Sequence, residues 1–319
     1  MSGEELSADD AWHAARHYGG RALVHDAFLR FRYGDGFSHA RGFALQLALA
    51  VVPLVIAGGG LATQLGAESL GEVVARTVVA VSPGSSDALV QETLRGAGDE
   101  DAGEIALGLG LASAFLALTT AFAQLERGAN RIYGRERDRP AARKYGRAAV
   151  LAATAGPALA VGVALIVAGE PFGEALEDVY AWGDAAETAW DVLRWPVGLV
   201  ALVVAVTVLF RAAPRRRQPG ESWLAVGSAV TVAGWLVASG LLALYVERAG
   251  GAETYGPLTA VIALLLWANL TGIALLAGLA LCAQLEAFRA GVRDPLLPDT
   301  DADGIPDALD EHPHGPPDP

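Results

Sequence analysis

The residues best spaced for chemistry lie near the carboxyl end. In "DTDADGIPDALD", Asp299, Asp301, Asp303 and Gly304 stand at positions 1, 3, 5 and 6 of a twelve-position calcium loop, the Ile305 carbonyl falls at position 7, and Asp307 and Asp310 follow. Hard oxygen ligands at alternate positions can wrap one divalent cation, and a single unpaired loop of this kind binds weakly, at about 0.1 to 1 mM. Pro306 and the closing "EHPHGPPDP" block the strand pairing and the exiting helix that usually frame such a loop, so a solvated acidic tail is the plain alternative. Elsewhere catalytic chemistry is thin. His13 and His17 share a helical face but lack the intervening Glu and the third ligand of a zinc hydrolase. There is no Gly-x-Ser-x-Gly elbow, no phosphate-binding glycine loop with its lysine, and no run of membrane-embedded acids. These residues predict a protein that is not an enzyme and requires no cofactor, with Ca2+ in the tail as the one candidate ion.

A second set of polar residues stands inside or beside long apolar runs. "AQLERGANRIYG" puts Glu126, Asn130 and Tyr133 near one helical face, beside Gln124, Arg127 and Arg131. "YGPLTAVIALLLWANL" begins at Tyr255 and Gly256 and carries Trp267 and Asn269 deep in an apolar stretch. An Asn in lipid needs a partner, so it either joins helices or lines a pathway. Pro53, followed by Gly58, Gly59 and Gly60, predicts a kinked or broken helix.

The elements that must position these groups are membrane spans. The chain is 53% hydrophobic and only 18% charged, with a mean hydropathy of +0.36, and about 20 apolar residues cross a bilayer as helix. Six spans are expected, near 40–65, 105–124, 148–168, 195–210, 222–245 and 257–285, the fourth short and the sixth long enough to tilt. The expected fold is an all-α membrane protein. A segment over 1–39 carries an amphipathic helix with Leu23, Val24, Phe28 and Phe31. A six-span domain over 40–289 follows, with short amphipathic helices at its outer side around Leu70 to Leu94, and an acidic tail covers 290–319. The first forty residues hold no apolar core with a cleavage site.

Charge sets the expected orientation. Arg127 to Arg147 and Arg211 to Arg217 are rich in arginine, whereas Glu170 to Asp191 holds seven acids and no base. The arginine connections belong in the cytoplasm, which puts both termini inside the plasma membrane. The bilayer, including its anionic lipids, is the expected partner; a net charge of −13 argues against nucleic acid, and nothing specifies an oligomeric state. One lysine, Lys144, against 22 arginines in so acidic a chain predicts a salt-adapted cell. The lone cysteine, Cys282, lies in the sixth span as a packing residue.

On "ALAVVPLV", "LERGANRIYG" and "YGPLTAVIALLLWANLTGIALLAGLALCAQLEA", the chain resembles the YihY/BrkB family of six-span inner-membrane proteins, once labelled ribonuclease BN. The resemblance runs over about 21–289 and implies an integral membrane protein, tied in some members to export or lipid-linked envelope maintenance. Leu45, Gln46 and Ala50 replace an aromatic pair and a serine that the family often carries before the proline. The tail resembles a thrombospondin type 3 repeat, "DxDxDGxxDxxD", more than an EF-hand. Two readings of function stay open: a transporter whose pathway is lined by Gln46, Thr119, Thr120, Gln124, Asn269 and Thr271, or a scaffold whose polar residues only hold helices together. A hydrolase is a remote third.

Overall fold

Long stretches of Ala, Leu, Val and Gly leave the backbone no partner in a bilayer except its own chain, so they fold as helices that satisfy every peptide group internally. The computed structural model describes residues 8–64, 73, 77, 100–135, 138–181, 183–248 and 257–291. Among the described residues the elements are α1 (Ala8–Tyr18), α2 (Gly20–Tyr33), α3 (Gly36–Gln64), α4 (Glu100–Ile132), α5 (Ala141–Val167), α6 (Gly169–Tyr180), α7 (Asp184–Ala212), α8 (Glu221–Arg248) and α9 (Pro257–Arg289). Of these, α3, α4, α5, α7, α8 and α9 are long and apolar enough to cross a membrane. The chain is an all-α, multi-pass membrane protein.

The spans are longer than the hydropathy runs that announced them. The fourth, expected to be short, is a 29-residue helix because α7 begins at Asp184 and runs through Pro196. Pro196 stands well past the first turn of α7, where a proline removes one interior backbone hydrogen bond, and the helix continues through it. Pro53 likewise lies inside an uninterrupted α3, so of the kink or break expected there the break is absent. The second span continues to Ile132, which keeps the "LERGANRI" stretch helical and its side chains in helical register.

The six spans alternate in direction and close a ring in the order α3, α4, α5, α7, α8, α9 and back to α3, with α9 also touching α4. The α3–α4 seam is the most extensive, and glycine makes it so. A Cβ on Gly110 would lie 2.7 Å from the Pro53 carbonyl oxygen and 2.8 Å from the Ala57 nitrogen, and one on Gly60 would meet the Leu107 nitrogen at 2.5 Å. Without those Cβ atoms the two backbones approach directly, which in lipid replaces the missing hydrophobic drive with van der Waals contact.

The two ends of the ring differ. The end reached by α2, the α4–α5 connection and the α7–α8 connection is rich in arginine and densely packed. Phe122, Leu125 and Ile132 of α4, Leu209 and Phe210 of α7, Trp223 and Leu224 of α8, and Leu276 and Leu279 of α9 are buried there. The opposite end carries α6 and the acidic start of α7, and leaves Leu109, Val192, Leu241 and Val261 exposed. The paired helices expected around Leu70 to Leu94 fall almost entirely outside the described residues.

Candidate functional site

The buried charges gather at the arginine-rich end, and Asn130 is their hinge point. Helix α4 delivers it wholly buried, at 0% exposure. Its Nδ2 donates to Asp138 Oδ1 at 3.0 Å, and its Oδ1 accepts the backbone N–H of Arg215 at 2.7 Å. Its backbone carbonyl accepts the Arg135 N–H at 2.7 Å. One amide therefore ties the α4–α5 connection to the α7–α8 connection.

Asp138 is the anionic centre of this network. Lys144 Nζ lies 2.7 Å from its Oδ2 and Arg127 Nε at 3.1 Å. Arg215 donates to the Asp138 backbone carbonyl at 3.0 Å. Burial alone would raise the Asp138 carboxyl, but the bonds from Lys144, Asn130 and Arg127 outweigh it and pull the pKa down to about 2. The chain's one lysine, carried by α5, is thus almost fully enclosed with its ammonium on a carboxylate.

Beside it, Arg139 NH1 reaches Glu126 Oε2 at 2.9 Å, with Glu126 only 3% exposed. The same guanidinium donates to the carbonyls of Ala213 and Pro214, both at 3.0 Å, while Arg147 Nε donates to the Ala212 carbonyl at 2.8 Å. Helix α7 stops just before Pro214, and its last carbonyls have no partners along the chain. Two arginines satisfy them and neutralise the negative end of the helix dipole.

A second cluster binds α9 to the terminal helices. Arg216 NH2 lies 2.6 Å from Glu286 Oε2 and stacks its guanidinium 4.6 Å from the Tyr133 ring centroid. The Tyr133 hydroxyl donates to Glu286 Oε1 at 3.4 Å. Burial, with Glu286 nearby, raises the phenol well above its usual range, so it stays a donor. Gln284, fully buried, accepts from Arg30 Nε at 2.8 Å and donates to the Tyr18 hydroxyl at 2.7 Å, which donates in turn to Asp26.

Within the spans the polar residues separate onto different seams. Thr120 Oγ1 donates to Gln46 Oε1 at 2.8 Å across α3 and α4, and Gln124 lies one turn further along that seam, close to Gly42. Thr119 turns back onto the Phe115 carbonyl. Thr271 accepts from Trp235 Nε1 at 3.0 Å and so faces α8. Trp267 meets Trp235 edge-on at 6.2 Å, and Asn269 is half-buried two residues further on. The expected single lining is therefore divided between the α3–α4 and α8–α9 seams. Tyr255, Gly256 and the calcium-type residues Asp299, Asp301, Asp303, Ile305, Asp307 and Asp310 lie outside the described residues.

Of the residues singled out from sequence, Arg127 and Asn130 meet at Asp138, Glu126 pairs with Arg139, and Tyr133 joins the Glu286 cluster. Their partners Arg30, Asp138, Arg139, Lys144, Arg216, Gln284 and Glu286 are recognisable only once the helices meet. Two signals were available: the uniqueness of Lys144, and Asp138 set with Glu136 amid arginines.

A family model described as Virulence factor BrkB matches residues 27–303, and the chain belongs to that family. A relative from Bacillus subtilis (strain 168), described as the ribonuclease-like protein YfkH, is 28% identical over 119 residues, which is 37% of this chain and 43% of the relative. The match thus spans less than half of that relative's length. No solved structure matches the chain.

Proposed function

We propose that this BrkB-family protein is a transporter-like bundle of the plasma membrane, serving export or lipid-linked envelope maintenance, with its arginine-rich end and both termini in the cytoplasm. The supporting observation is the uneven sealing of the ring. At one end, buried ion pairs and carbonyl caps join α4, α5, α7 and α9; at the other, among the described residues, Arg194 pairs with the largely exposed Glu170 and Asp191. A bundle that alternates access needs a strong, breakable closure at one end at a time, and charge networks between connections can supply it. Arginine asymmetry between the ends supports the orientation.

Scaffolding is the second reading, and it draws on the Gln46–Thr120 and Thr271–Trp235 bonds, which leave those groups satisfied by the protein itself. A ribonuclease-like activity, as the relative's description would imply, stands third, because Glu126, Asp138 and Glu286 are each held by a cation of the protein.

Accessibility separates the first two. In a Cys282→Ala background, Gln46→Cys should react with a membrane-impermeant maleimide from the acidic end only, and adding Glu126→Gln should open it to reagent from the arginine-rich end. Reaction from neither side, with and without Glu126→Gln, would sink the transporter reading and leave the scaffold.

A further inference from the structure

We propose that α2 is a docking helix for anionic phospholipid: Val24 and Phe28 enter the leaflet at the arginine-rich end of the bundle, and Arg21 and Arg32 hold the phosphate-bearing headgroups. The inference rests on the membrane-spanning fold and is independent of transport. Its basis is the order of residues around the helix. Leu23, Ala27 and Phe31 are buried, and contacts between α2 and α9 fix that face against the bundle. Turning about the axis at 100° per residue, Val24 and Phe28 come next, and Arg21, Arg32 and His25 after them. A core face, an apolar flank and a basic strip in that order describe a helix lying in a membrane interface, its flank among acyl chains and its cations at the depth of phosphates.

Exposure and continuity point to the bilayer as the occupant of that flank. Val24 is 66% exposed, Phe28 50% and Phe37 42%, and Phe28 and Phe37 meet nearly edge to face at 6.4 Å. Phe37 begins a stripe down one side of α3 that continues through Leu45, Leu49, Val52 and Ile56, all exposed on a helix long and apolar enough to span a membrane. The flank of α2 is therefore the end of a surface that already faces lipid. Arg41, exposed on the same side of α3, adds a cation at that depth. A shallow depression opens here, lined by Gly20, Arg21, Val24, His25 and Phe28. The neighbouring acid, Asp26, is occupied by the Tyr18 hydroxyl and His25.

The test uses the full chain in nanodiscs with Cys282→Ala, a bimane label on Val24→Cys, and doxyl-labelled lipid as quencher. Arg135→Cys, in the exposed α4–α5 connection, is the reference. Quenching at position 24 should exceed the reference several-fold, rise when phosphatidylglycerol is mixed into phosphatidylcholine, and lose that rise in Arg21→Gln/Arg32→Gln while the apolar quenching persists. Quenching equal to the reference overturns the proposal, as does quenching that is the same in both lipid mixtures or a phosphatidylglycerol response untouched by the two substitutions. Both arginines are exposed, so the double variant leaves the core packing alone.

Discussion

At the scale of single residues, Asn130 and Asp138 decide how the arginine-rich end holds together. Asn130 suits its place because one amide both donates and accepts, and nothing else at 0% exposure there could answer Asp138 and Arg215 together. Asn130→Ala should cost about 1–3 kcal/mol by removing its two bonds, to Asp138 and from the Arg215 N–H, at a buried position. Asn130→Asp should lower the melting temperature further, because it sets a second carboxylate about 3 Å from the first. Asp138 adds a pH dependence of known sign. Its pKa falls from 3.8 to about 2 on folding, so between those values the unfolded chain binds more protons than the native one. Its contribution is complete above about pH 4 and fades as pH falls toward about 2. The stability gap between the natural protein and Asp138→Asn, followed by thermal melts, should close across that interval; a gap constant with pH would refute the assignment.

At the scale of elements, the α3–α4 seam carries the test. Both helices are apolar around most of their circumference, so hydropathy announced that they exist and not which faces meet. Glycines shape the seam, since without Cβ atoms at Gly60 and Gly110 its two backbones approach closely. Gly110→Leu should push the two helices apart and lower the melting temperature, by about 1–3 kcal/mol in stability. Gly108→Leu makes the control: nothing lies within 4 Å of a Cβ there, and it should be tolerated. Equal effects of the two would show that the seam is not the close contact described. The span ends were legible only loosely, because α4 and α7 run on into charged residues whose side chains find partners beyond the apolar stretch.

At the scale of the whole molecule, charge is distributed by end. Glu170, Glu174, Glu177 and Asp178 of α6 stand with Asp184, Glu187 and Asp191 of α7, and Arg194, bonded to Glu170 and close to Asp191, answers them. With a net charge of −13, mutual repulsion at the acidic end should weaken the fold when salt no longer screens it. The purified protein should therefore melt lower, and lose helical signal first, as salt is withdrawn. Indifference to salt would reduce the acid excess to ordinary surface solvation.

The sequence by itself determined that this chain lives in a bilayer as helices, how many of them can cross it, and which connections carry the arginines. Those properties are sums over local composition, and a peptide group in hydrocarbon has no alternative to the helix. It also marked Glu126, Arg127, Asn130 and Tyr133, because their spacing puts them together on or beside one helix end. Only the tertiary structure decided what they touch. Asp138 and Lys144 are near neighbours along the chain, yet they become one charged centre with α4 only when Asn130 and Arg127 bond to Asp138. Arg216 reaches Glu286 across 70 residues and Arg30 reaches Gln284 across 254. Pairings over such distances depend on which helix faces meet, and in spans apolar on every side that choice is made by close packing and by the satisfaction of a few buried polar atoms.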